Sequence, residues 1–172
     1  MADVRGIRPP ERLGPHHDLS HFRNGKHPSL DEWLKRHALP SEGLSARTYV
    51  VCAEDAPSRV AGYYAISTAM EQRIALPSAK LRRGTPEEVP LLLIGRLALD
   101  QAWQGQGLGS ALLSDALLRC LAASEIAGVR AVIVHAIDDD AVGFYKAHGF
   151  LPSPLGNRIL LMPIEVVRTL YQ

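Results

Sequence analysis

Cysteine is nearly absent from this sequence of 172 residues: Cys52 and Cys120 are the only two, and no second ligand stands at metal-site spacing from either. That excludes a disulfide scaffold and every recognisable zinc motif. Both lie in apolar surroundings, so they read as buried free thiols of a reducing compartment. Charge of one sign is missing too. The net charge is +1, so nothing coats the protein in basic groups, and a nucleic-acid contact would have to come from a local patch. No apolar run is long enough to cross a membrane, and the opening MADVRGIRPPERLGPHHD has no secretory apolar core. The expected location is cytoplasmic. Internal repeats and linker-like stretches are lacking as well, so a single domain over 1–172 is expected, with residues 1–20 as a loose lead-in. His16, His17 and His21 in and beside that segment read as surface histidines.

What is present is an ordinary globular composition, 47% hydrophobic and 22% charged. At this length a chain buries roughly 70% of its unfolded surface. A helix is expected from Ser29, with Ser29 and Glu32 as a capping box and Pro40 and Gly43 at its end. Thr48–Ala53 and Val60–Ser67 read as an antiparallel hairpin turning at Asp55–Ser58. Residues 70–90 read as an irregular, basic insertion. Leu91–Leu99 is apolar on both faces but for Arg96, as a strand buried in a mixed or parallel sheet should be. A helix spaced on Ala111, Leu112, Ala116, Leu117 and Leu121 follows and closes at Gly128, and Val129–Ala136 is the next strand. Strand, helix, strand makes a right-handed crossover between parallel neighbours. A helix from Asp140 to His148, a strand over Arg158–Met162 and a last helical turn over Glu165–Tyr171 complete the chain.

Between the central strand and its helix lies Gln104-Gly105-Gln106-Gly107-Leu108-Gly109-Ser110. A glycine-rich turn ahead of a helix N-terminus is suited to an anion: the backbone comes close, and the first free N–H groups point into the turn. The Rossmann fingerprint fails, because the sixth position, counting Gly105 as the first, is Ser110. The Walker pattern fails for want of a lysine. The spacing that fits is Gln-x-x-Gly-x-Gly, which resembles the acetyl-CoA pyrophosphate loop of the GCN5-related N-acetyltransferases. A second stretch agrees. Ala141, Phe144, Tyr145, Gly149 and Phe150 match the family's Asn-x-x-Ala, aromatic-Tyr and Gly-Phe pattern, with Asp138 where Asn is common.

Over residues 20–162 the resemblance narrows to the acetyltransferase toxins of type II toxin–antitoxin pairs. It is carried by Phe22–Gly25, Leu30–Leu34, Ser45–Val50, Gly62–Tyr64, Leu93–Asp100 and Val134–Ala136; Asn24 stands where the family often has Cys or Ser. The resemblance implies an α/β (α+β) fold, a mixed central β-sheet flanked by helices, with parallel strands splayed around acetyl-CoA. It implies backbone contacts to acetyl-CoA from Leu97, Ala98 and Leu99, and from Gln104, Gly105, Gln106, Gly107, Leu108, Gly109 and Ser110, with Asp138, Ala141 and Phe144 beside them. One strand N–H would polarise the thioester carbonyl. Tyr145 is the implied general acid for the leaving thiolate, since a phenol is protonated at neutral pH.

No base is evident; His135 and His148 are the weak options. An aminoacyl α-amine has little need of one, because its pKa lies well below that of lysine. The implied reaction is therefore acetylation of the α-amine of aminoacyl-tRNA, blocking translation, without a metal. The implied partners are a ribbon-helix-helix antitoxin and a second copy of the chain in a homodimer. Lys26, Lys35, Arg36, Arg47, Lys80, Arg82, Arg83 and Arg158 are candidate phosphate contacts, and Arg96, charged within an apolar strand, is a candidate active-site residue. Two other readings stay open: an acetyltransferase for a small amine or protein N-terminus, and a CoA-binding regulatory module without turnover.

Overall fold

A computed structural model of the protein describes residues 4–171. Its elements are β1 (Glu11–Arg12), α1 (Pro28–Trp33), α2 (Leu39–Ser41), β2 (Arg47–Ala53), β3 (Ala56–Gln72), α3 (Ala79–Arg82), β4 (Glu88–Leu99), α4 (Leu108–Ser124), β5 (Ala131–His135), α5 (Asp139–Ala147), β6 (Leu151–Pro152), β7 (Ile159–Pro163) and α6 (Ile164–Tyr171). The seven strands follow the order β1-β2-β3-β4-β5-β7-β6 in a mixed sheet flanked by helices. β4 and β5 are parallel from Leu91↔Ala131 to Ile94↔Val134, as the crossover between them requires. β1·β2, β2·β3, β5·β7 and β6·β7 are antiparallel.

The chain divides into two compact units, each made of separate stretches. One holds the chain up to Ser67 together with Gly95–Ala116. The other holds Thr68–Ile94 and the chain from Leu117 onward. The core of the first packs Phe22, Leu30, Leu34, Val50, Tyr63 and Ala98; that of the second packs Leu76, Val89, Leu91, Ala131, Ile133 and Leu161.

Residues 4–20 are not a loose lead-in. Ile7 and Leu13 are buried, Glu11 and Arg12 pair with Val50 and Tyr49, and Asp18 bridges to Arg59. Nor is His17 a surface residue. Its side chain is fully buried, with Nδ1 accepting from the Gly14 N–H at 2.9 Å and Nε2 2.8 Å from Glu11 Oε1. These contacts join residues whose pairing depends on β2, which local sequence does not reveal.

Four boundaries also move. α1 is capped at His27 and starts with Pro28, so Ser29 is not its N-cap. Proline fixes the first helical φ and has no N–H to lose. The helical path continues through a wide π-turn over Leu34–Ala38 into α2, so Pro40 lies inside it; the widened turn makes room for a ring that would strike the carbonyl four residues back. The hairpin turns at Glu54-Asp55, because Ala53 already pairs with Ala56. α4 ends at Ser124, whose Oγ hydrogen-bonds Leu121 O at 2.6 Å, four residues before Gly128. The 70–90 stretch is partly ordered: β3 runs to Gln72, and α3 is capped by Ser78, which accepts from the Leu81 N–H.

Candidate active site

The end of β4, the glycine turn and the start of α4 all belong to the first unit. Asp100 caps a single helical turn over Gln101–Trp103, accepting from the Ala102 N–H at 2.9 Å. Its other oxygen accepts from the Arg23 N–H at 2.9 Å. Gln104 Nε2 donates to Asn24 O at 2.8 Å and to Leu99 O at 3.2 Å. Asn24 Nδ2 donates to the same Leu99 O at 3.0 Å, while its Oδ1 accepts from the His27 N–H at 3.0 Å. The Asn24 turn, the strand end and the glycine loop are thus tied into one frame. Asn24 and Asp100 are site-building residues that sequence reasoning missed; their partners lie more than 70 residues away in sequence.

The Gln104 side chain braces the loop, and the Gln106 side chain reaches back to Ala102 O at 3.3 Å. The Leu99 carbonyl is engaged by Asn24 and Gln104, so both its lone-pair directions are taken.

Gly105 and Gly107 have φ of +77° and +83°, a region that disfavours any other residue. A Cβ built on either would meet no heavy atom within 4 Å. The turn is therefore open on the side where a Cβ would stand, and its positive φ is what favours glycine there. α4 begins at Leu108, two residues before the expected Ser110, because Gly109 is already helical. Leu108 is fully buried and anchors the helix, whose first-turn N–H groups have no intrahelical acceptor. The arrangement fits an anion held by backbone donors and the positive end of a 17-residue helix. Upstream, pairing of β4 with β5 is described only as far as Ile94, and β4 continues through Leu97, Ala98 and Leu99.

α5 belongs to the second unit. Asp138 is its N-cap, accepting from the Ala141 N–H at 2.7 Å. Its carboxylate adds charge complementarity to the positive end of the helix. Tyr145 is buried, its ring set edge-on to Phe144 at 5.3 Å and to Phe150 at 5.4 Å. Burial pushes its phenol up to about 12, so it is a proton-bearing donor throughout the neutral range. His148 packs on Phe144 with Nδ1 2.7 Å from the Phe144 carbonyl, and His135 is exposed at the end of β5.

The basic residues divide between the units. In the first, Lys26 and Lys35 are exposed, Arg36 pairs with Glu32 at 3.2 Å, and Arg47 donates to Leu44 O and Ala46 O. In the second, Lys80 and Arg83 are exposed, Arg82 donates to Leu76 O at 2.8 Å, and Arg158 pairs with Asp139 at 3.2 Å. Glu11, His17 and Cys52 bring three ligand atoms within 4.8 Å of one another. The Gly14 N–H occupies Nδ1 of His17, so its ring proton sits on Nε2 and is given to Glu11, which engages this histidine in hydrogen bonds at both nitrogens; burial holds the Cys52 thiol up at about 11.

Residues 45–152 match the acetyltransferase (GNAT) domain family. A "tRNA-acetylating toxin" of Mycobacterium tuberculosis (strain ATCC 25618 / H37Rv) is 37% identical over 168 residues, 97% of this chain and 98% of that protein. AtaT solved with acetyl-methionyl-tRNAfMet superposes with a TM-score of 0.88 at 29% identity, covering 96% of this chain and 99% of that one. A tyrosine-to-phenylalanine mutant of the AtaT toxin, bound to the C-terminus of the antitoxin AtaR and acetyl-CoA, gives 0.79 at 26% identity, covering 97% and 99%.

Proposed function

Taking as premise that the chain belongs to the GNAT acetyltransferase family, we propose that it is an acetyl-CoA-dependent toxin that acetylates the α-amine of aminoacyl-tRNA and so blocks translation. The observation that carries the acyl-transfer chemistry is the cradle of Gly105 and Gly107, positive in φ and open where a Cβ would stand, leading into a buried helix start. The tRNA acceptor is supported by similarity along nearly the whole chain to a tRNA-acetylating toxin and by the AtaT–tRNA complex.

When bound, acetyl-CoA supplies a thioester acyl group and a thiolate leaving group. The backbone N–H groups of Gly105–Ser110 hold its pyrophosphate. Leu97 and Ala98 pair with the amide-like pantetheine arm, and one of their N–H groups polarises the acyl carbonyl. Ala141 and Phe144, fixed by the Asp138 cap, border the arm. Tyr145 donates to the sulfur as the C–S bond breaks. Its phenol at about 12 is a far weaker acid than a thiol near 8.5. It therefore stabilises the departing sulfur by hydrogen bonding, and the proton the thiol finally keeps is balanced by the one the attacking amine releases. That amine needs no strong base, because an α-amine titrates near 8.

Exposed Lys26 and Lys35 of the first unit and Lys80 and Arg83 of the second supply phosphate contacts, as do Arg36, Arg47, Arg82 and Arg158; such binding weakens steeply with salt. In this reading the protein acts in the cytoplasm as a homodimer, restrained by a ribbon-helix-helix antitoxin. The antitoxin is supported by the AtaT–AtaR complex. Among the described residues no helix is long and apolar enough to cross a membrane.

A cell-free translation assay tests the proposal. Addition of the protein should stop synthesis only when acetyl-CoA is supplied, and freshly charged tRNA should restore it. Inhibition independent of acetyl-CoA, or none, contradicts the reading.

A further inference from the structure

Arg96 interrupts the apolar run of β4, between Gly95 and Leu97. Its guanidinium carbon lies 4.5 Å above the centre of the Trp33 ring, at the end of α1. Trp33 stacks in turn on Tyr63, with centroids 6.0 Å apart and planes 10° from parallel. Tyr63 is buried, meets Phe22 edge-on at 5.5 Å, and donates its hydroxyl to Leu30 O at 2.7 Å. The base of this stack is therefore fixed by packing and a hydrogen bond, and its outer layer is a cation.

Among the described residues, no carboxylate pairs with Arg96 and no acceptor takes its N–H groups; the Trp33 indole is its ring partner, and Tyr63 feels its charge. The nearby carboxylate of α1, Asp31, is engaged by the Asn24 N–H at 2.8 Å. Arg96 is half-buried, and none of its nitrogens is a buried donor lacking a partner, so its N–H groups open to solvent and to a ligand. Held flat against an indole, it keeps its in-plane N–H fork for a ligand, and that fork matches two oxygens of a phosphate.

Arg96 and Ala98 are two residues apart and share a face of the strand, separated by roughly 6.6 Å. Ala98 belongs to the same packed cluster as Trp33 and Tyr63. Resting on the aminoacyl-tRNA reading above, we propose that Arg96, oriented by Trp33, is a positioning residue for the acceptor. It grips the phosphate of the terminal nucleotide, beside the aminoacyl ester, while the α-amine reaches the acyl carbonyl near Ala98.

The test compares two acceptors: 3′-aminoacyl adenosine, which has no phosphate, and the aminoacylated dinucleotide CpA, which has the terminal phosphate. Arg96→Met keeps an unbranched side chain on the indole and removes the fork. It should lower kcat/KM for the dinucleotide about 10- to 100-fold, the worth of a charge-assisted hydrogen bond. On the adenosine the loss should stay below about threefold, with KM for acetyl-CoA unmoved. Arg96→Lys should recover part of the loss on the dinucleotide, since it restores the charge without the fork. Equal losses on both acceptors, or no loss, overturn the inference. A rise in KM for acetyl-CoA with the acceptors unaffected overturns it differently, by giving the phosphate to the cofactor. Wild-type protein inactive on both acceptors and on charged tRNA overturns the functional reading itself, and this inference with it. Thermal melts of each variant separate these outcomes from a folding loss.

Discussion

Replacing Tyr145 by Phe removes one oxygen and leaves the ring where it is. The ring is packed edge-on between Phe144 and Phe150, at 5.3 Å and 5.4 Å, and it is buried. Those contacts are unchanged in Tyr145→Phe, so the melting free energy should move by no more than about 1 kcal/mol, the ordinary worth of one hydroxyl. Acetyl-CoA affinity should hold as well, because the pyrophosphate cradle is elsewhere in the chain. The chemical step should suffer. Losing the donor to the sulfur costs about 10²–10⁴ in rate, or roughly 3–5 kcal/mol of barrier. The assay is a single turnover at saturating acetyl-CoA, read as thiol release, alongside calorimetric binding and a thermal melt. A near-wild-type single-turnover rate would remove Tyr145 from the mechanism. So would a rate loss matched by an equal loss of acetyl-CoA binding. A pH profile adds a second check. With the phenol held at about 12 by burial, wild-type turnover should rise through the α-amine titration near 8 and show no falling limb from Tyr145 below about pH 11.

Gly107→Val should cost the fold about 1–2 kcal/mol through its positive φ, and since a Cβ there meets no protein atom, its larger effect is on the ligand. Calorimetry should show acetyl-CoA affinity down at least about tenfold, and unchanged affinity would move the pyrophosphate off this loop. Asp138→Ala should destabilise the protein by about 1 kcal/mol in denaturant melts, whereas Asp138→Asn, which keeps the capping oxygen, should hold nearly all of it. Cys52 and Cys120 are buried, with thiols raised to about 11 and about 12. A thiol reagent at pH 8 should find neither in the native protein and both after unfolding. The same raised values stabilise the fold fully below the ordinary thiol pKa near 8.5, and that contribution is lost as pH climbs through the native values. Alkaline melts should show it.

Features written in local pattern were legible in the sequence. The apolar run of β4, the glycine turn, and the Asp138 cap ahead of an aromatic-Tyr pair each depend on neighbours a few residues apart, and the structure forms them where such patterns form. The start of α4 was misplaced because three glycines look like one turn; Gly105 and Gly107 make the turn, while Gly109 has entered the helix. The Ser29–Glu32 box was outcompeted by Pro28, whose ring fixes the first turn. What stayed hidden is held by pairing at long range. β1 is two residues long and exists because β2 receives it, His17 is buried by Glu11 and Gly14, and the Arg96–Trp33–Tyr63 stack joins three separate elements. Asn24 both accepts from the His27 N–H in its turn and donates to the end of β4, a partner 75 residues away.

The central claim is that the acetyl group goes to an aminoacyl α-amine on tRNA. Incubation of the protein with labelled acetyl-CoA and total charged tRNA, followed by mass spectrometry of the nucleosides released by nuclease, tests it most directly. The account predicts label in N-acetylaminoacyl adenosine, abolished when the tRNA is deacylated beforehand. Label confined to protein or to free amines, or equal labelling of uncharged tRNA, would contradict it.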